Sequence, residues 1–180
     1  MVTNHKDAFQ PHNVPVKAGH RGYTLMEIVL VLAILGIMMM AVFPAFTHSQ
    51  EVRLLDNAAN QILMAMQMAK WQAADANLNH RIRFSSTNNV WTYLIERETT
   101  PGNWALVQGT MRTQISSTFE VTVNLPAGQA VVFQSTGFVD NYDSSKNSVT
   151  LASPKLRTLN QPYQRIIRLF AGGSVRCSKT

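Results

Sequence analysis

From Ile28 to Phe46 the chain reads IVLVLAILGIMMMAVFPAF, nineteen residues without a charge. As an α-helix this run rises about 28 Å, close to the roughly 30 Å hydrocarbon core of a bilayer, so the reading is a membrane-spanning helix. Glu27 lies at its edge, where a carboxylate is costly in lipid and so marks a functional group. Lys6, Lys17 and Arg21 precede the run and would hold the N-terminus in the cytoplasm. A cleaved secretory signal would end in an A-x-A-like site, and neither Ala41-Val42-Phe43 nor Ala45-Phe46-Thr47 supplies one. A plain membrane anchor explains the apolar run and its flanks. It does not explain Gly22, Glu27 and Pro44 together.

Gly22-Tyr23-Thr24-Leu25-Met26-Glu27 followed by an apolar helix resembles the cleavage and assembly signal of type IV prepilins and type II secretion pseudopilins. The resemblance implies cleavage by a prepilin peptidase between Gly22 and Tyr23, N-methylation of Tyr23, and a role for Glu27 as the acid through which subunits dock. Pro44, residue twenty-two of the cleaved chain, falls on the family's mid-helix proline. Proline removes a helical hydrogen bond and crowds the preceding turn, so a bend or a loosened turn is expected there, near Gly36.

Residues 1–22 contain Pro11 and Pro15, show no periodicity, and read as a leader that is removed together with His5, His12 and His20. Segment 23–46 is then the transmembrane and assembly helix. Beyond it, Val52, Leu55, Ala59, Ile62, Met66, Ala69, Ala73 and Ala76 recur at alternating spacings of three and four, which places them on one helical stripe. Segment 47–78 therefore continues the helix as an amphipathic half. Its small residues let a sheet approach closely, which favours packing on the protein's own β domain over a coiled-coil seam. Met64, Met66 and Met68 read as packing residues, with no metal role.

After Asn79 the texture changes to β-branched and aromatic residues, and 79–180 reads as an antiparallel β domain of the meander kind. Arg81–Phe84 and Val90–Ile95 flank Asn88-Asn89, a pair that tolerates the left-handed backbone of a tight hairpin. Further strands are expected over Trp104–Val107, Phe119–Leu125, Ala130–Gln134, Ser148–Ala152, Arg165–Phe170 and Ser174–Cys177, the last two joined through Gly172-Gly173. Val131-Val132-Phe133-Gln134-Ser135-Thr136-Gly137, then a variable turn, the Ser148 strand and a final Arg- and Gly-containing hairpin are similar to the GspH/FimT-like branch of the pilin superfamily. The expected fold is α+β and pilin-like: a long N-terminal helix packed on a C-terminal antiparallel β domain.

The chain carries a net charge of +6; residues 1–22 account for +2 and 144–180 for +7, which leaves −3 for 23–143. The tail holds Lys146, Lys155, Arg157, Arg165, Arg168, Arg176 and Lys179 and no acid, a pattern that suits an anionic partner, a complementary neighbouring subunit or a solvated face. Of these, Arg165, Arg168, Arg176 and Lys179 lie in or beside the last hairpin and are the candidates for contact with an anion or DNA. Strand alternation should nevertheless put Arg165 and Arg168 on opposite faces. The Gly-Arg-x-Arg ending common in FimT-like and FimU-like members reads Gly172-Gly173-Ser174-Val175-Arg176-Cys177 here, without the first arginine. Cys177 is the only cysteine, so the C-terminal disulfide of many minor pilins cannot form within the chain.

None of the nucleotide-binding, hydrolase, zinc-protease or CxxC signatures occurs in the sequence. Asp140-Asn141-Tyr142-Asp143-Ser144 is oxygen-rich but lacks further ligands, so a turn is expected there and no metal. The reading is a non-enzymatic minor pilin or pseudopilin with no cofactor. It would be held in the inner membrane with the N-terminus cytoplasmic and the β domain periplasmic, and built into a type II secretion pseudopilus or type IV pilus. Its partners would be the prepilin peptidase and other minor and major pilins or pseudopilins. The alternative is a minor pilin for DNA uptake that grips phosphate through the basic tail.

Overall fold

The computed structural model describes residues 23–180, apart from the side chains of 41–48. The chain divides into two compact units, Met1–Val42 and Phe43–Thr180. Helix α1 is assigned over Leu25–Ala76. In the first unit every described side chain from Tyr23 to Met40 is exposed, including Leu25, Ile28, Leu32 and Ile37.

In the second unit α1 buries Leu55, Ala59, Ile62, Met66, Ala69 and Ala73, each at most 1% exposed. The stripe is the expected one, ending a turn early: Ala76 is exposed because α1 stops there. Asn77 takes φ +50°, and the Leu78 amide donates to the Ala73 carbonyl at 3.2 Å, a left-handed cap that ends the helix. Met66 packs as anticipated. Met64 and Met68 face outward and, with Leu94, Ile95 and Met111, line an open hollow of about 430 Å³.

Strand β1 (His80–Thr87) pairs antiparallel with β2 (Val90–Thr100) through the Asn88-Asn89 turn, whose φ values of +50° and +63° are those of a two-residue hairpin. β3 (Asn103–Leu106) and the short β4 (Thr113–Gln114) both pair with β2, and β6 (Ala130–Phe133) pairs with β1. The second sheet has the order β5-β7-β8-β9, from β5 (Glu120–Asn124), β7 (Ser148–Ala152), β8 (Gln164–Leu169) and β9 (Val175–Lys179). A short helix α2 (Pro154–Thr158), capped by the Ser153 hydroxyl, links β7 to β8.

The expected meander is therefore only half present. β1-β2-β3 and β7-β8-β9 are meanders, but the chain crosses to the second sheet for β5 and returns to the first for β6. The buried side chains of Ile115, Phe119 and Leu125 anchor these crossings. Turn chemistry marks where a strand ends, and burial decides which sheet the next one joins. Inward-facing residues of both sheets, among them Phe84, Ile95, Phe133, Leu151 and Ile167, form one core with the helical stripe.

Candidate functional site

Two regions were expected to carry function: the start of α1 and the last hairpin. At the first, Gly22 lies outside the described residues, as do the leader histidines. Tyr23 and Glu27 are exposed. Thr24 caps α1: the Glu27 amide donates to the Thr24 hydroxyl at 3.2 Å and to its carbonyl at 3.0 Å. Thr24 is thus the N-cap of α1, with Glu27 at the third helical position, a local role for the Thr that the sequence could have revealed. Glu27 in the first turn also complements the helix dipole. Pro44 lies within α1, but its side chain is outside those described. Among the described residues no helix is long and apolar enough to cross a membrane; the expected span runs on through 41–46, beyond the described side chains.

The last hairpin divides its four cations. Arg165 is 2% exposed and points inward, where its Nε donates to Asp56 Oδ1 at 2.5 Å and its Nη1 to the carbonyls of Pro162 and Gln164 at 3.1 and 2.9 Å. Lys179 Nζ donates to the other oxygen of Asp56 at 3.0 Å. Burial raises the Asp56 pKa, but the hydrogen bonds from Arg165 and Lys179 outweigh it and leave the group below the ordinary carboxylate range. This ion triad fastens α1 to β8 and β9. Arg165 is thereby enclosed in the fold, which corrects the expectation that it faces a ligand, whereas Lys179 stays exposed with Asp56 as its partner.

Arg168 and Arg176 stay outside. They are direct cross-strand partners on the outer face of the second sheet, both exposed, with Arg176 over the Phe170 ring at 5.7 Å. The expected opposition of Arg165 and Arg168 holds. Cys177 sits half-buried opposite Ile167, and burial pushes its thiol pKa up.

Four of the tail's seven cations have carboxylate partners within the chain. Besides the Asp56 triad, Arg157 meets Glu120 at 2.6 Å and Lys155 lies 3.8 Å from Glu51. Glu51 also accepts from the Ser153 hydroxyl at 3.0 Å. The acidic 23–143 segment and the basic tail thus pair with one another within the chain.

A clamp not foreseen from the sequence joins the two loop glycines. Lys70 Nζ donates to the Gly172 carbonyl at 2.9 Å, and its stem lies 3.1 to 3.2 Å from where a Cβ on Gly173 or Gly137 would sit. Gly137 and Gly173 have φ of +80° and +71°. The Val139 amide donates to the Ala171 carbonyl at 3.0 Å, so the turn after β6 and the β8–β9 turn are held together under α1.

Residues 17–43 match the family described as the prokaryotic N-terminal methylation motif. Among solved structures, the chain is similar to the minor pseudopilin EpsH from the type 2 secretion system of Vibrio cholerae, at 15% identity and a TM-score of 0.49 over 69% of this chain and 96% of that one. A second structure of EpsH gives 12% identity and a TM-score of 0.47 over 69% and 93%. Among curated protein sequences none matches.

Proposed function

We propose that the chain is a minor pilin or pseudopilin. Prepilin peptidase cuts it after Gly22, Tyr23 becomes the methylated N-terminus, and Glu27 docks the subunit into a short filament of a type II secretion or type IV pilus machine. The observation that carries this reading is the methylation motif over residues 17–43, with Gly22, Tyr23 and Glu27 at the family's spacing. The exposed apolar side chains from Tyr23 to Met40 support it, since such a surface needs lipid or neighbouring helices to cover it. Before assembly the protein sits in the inner membrane with its β domain periplasmic. It is the substrate of an enzyme and a structural subunit, with other pilins or pseudopilins as partners.

The test is the mass of the protein in membrane extracts. The wild type should begin at a methylated Tyr23. Gly22→Val should stay at full length, because a side chain obstructs an extended chain in the peptidase cleft. A wild type that keeps Met1 or Val2 at its N-terminus refutes the reading.

A further inference from the structure

β9 is the last strand of its sheet, and no described strand pairs with its outer edge. Its hydrogen-bonding phase can be read from its ends. Gln164 and Thr180 exchange both amide-to-carbonyl bonds, at 2.9 and 3.1 Å, and the Phe170 amide donates to the Ser174 carbonyl at 3.0 Å. Residues of β9 with even numbers therefore turn their backbone toward β8, and the amides and carbonyls of Cys177 and Lys179 point out of the sheet. An extended segment can pair with these groups.

The side chains on this edge state what kind of segment fits. Arg168 and Arg176 stand directly opposite each other on the outer face, a like-charge pair that costs stability unless an anion lies between or beside it. Neither makes an ion pair with a carboxylate among the described residues, whereas Lys155, Arg157, Arg165 and Lys179 do. A second copy of β9, whose sequence is Val-Arg-Cys-Ser-Lys, brings no carboxylate to the arginine pair. The other edge of the sheet is less inviting to an acidic strand, because its outward Glu120 is itself acidic and already bridged to Arg157.

We propose that β9 receives, as an added strand, an extended segment of another protein with acidic side chains at every second position, its backbone meeting Cys177 and Lys179 and its carboxylates meeting Arg176 and Arg168. Duplex DNA satisfies the arginines but cannot use the free backbone edge. The inference is independent of the N-terminal motif, so its failure leaves the filament reading untouched.

A fluorescein-labelled twelve-residue peptide of alternating Glu and Val, titrated against the full chain in detergent micelles and followed by anisotropy, tests it. Saturable binding is expected, weakened about tenfold or more by Arg168→Gln with Arg176→Gln and unchanged when the peptide competes with duplex DNA. Cys177→Pro, which removes an outward amide that no described strand uses, should weaken binding similarly while Cys177→Ala leaves it intact. Amide exchange on the wild type gives a second readout that needs no variant: the peptide should slow exchange at Cys177 and Lys179. Absence of binding overturns the proposal. So does binding that leaves those two amides unprotected or that DNA displaces, since the surface would then be reading charge alone.

Discussion

Glu27 and Asp56 are carboxylates of opposite character. The cap at the start of α1 is made by the Thr24 hydroxyl and the Glu27 backbone amide, so glutamine at 27 leaves it intact, whereas docking to a neighbour's amine would require the charge. Glu27→Gln is therefore expected to be cleaved and to keep its helix start, yet to be missing from sheared filaments; normal incorporation would mean that docking does not need the charge. Asp56 answers the buried Arg165 and the exposed Lys179. Removing one partner of a buried pair leaves the other charge without compensation, so Asp56→Ala should cost about 3 kcal/mol, and Arg165→Met, which removes the buried charge itself, should cost less. Because the Asp56 pKa is lowered in the fold, its contribution is complete above the unfolded value near 3.8 and fades as pH falls below it. Melting curves of wild type and Asp56→Ala should accordingly converge as the pH is taken from about 5 to 2.

At the level of elements, the turns after β6 and β8 share one device. Gly102, in the turn between β2 and β3, and Gly173 both hold a positive φ, a conformation that costs a residue with a Cβ roughly 1–2 kcal/mol. Space separates them. A Cβ on Gly102 meets nothing, whereas one on Gly173 runs into the Gly137 carbonyl and the Lys70 stem. Gly173→Ala should therefore be the more destabilising of the two by at least about 1 kcal/mol, read as a difference in denaturation midpoint. Equal losses would mean that the clamp among Lys70, Gly137 and Gly173 is loose.

For the whole molecule, the two surfaces of α1 have different fates. The stripe from Leu55 to Ala73 is covered by the chain's own sheets, while the residues from Tyr23 to Met40 are covered by nothing described. A fragment of residues 51–180 should then be soluble and monomeric at micromolar concentration in sedimentation, even though Met64, Met68 and Trp71 remain exposed. A stable oligomer would assign those three side chains to a subunit contact. The internal pairing of acidic helix and basic tail predicts further that this fragment loses some stability, and gains no association, as salt rises.

Local chemistry was readable without the structure wherever a short stretch decides its own conformation. The three-and-four spacing marked the buried face of α1, Asn88-Asn89 and Gly172-Gly173 marked their hairpins, and alternation along β8 separated Arg165 from Arg168. The Thr24 cap of α1 was equally legible. What only the tertiary structure decided involves residues far apart in sequence: β5 and β6 exchanging sheets, Asp56 taking Arg165 and Lys179 out of the basic tail, and Lys70 reaching Gly172. Backbone propensity and periodicity act over a turn or a strand. The partner of a buried charge or of a sheet edge is chosen by which surfaces the closed core brings together.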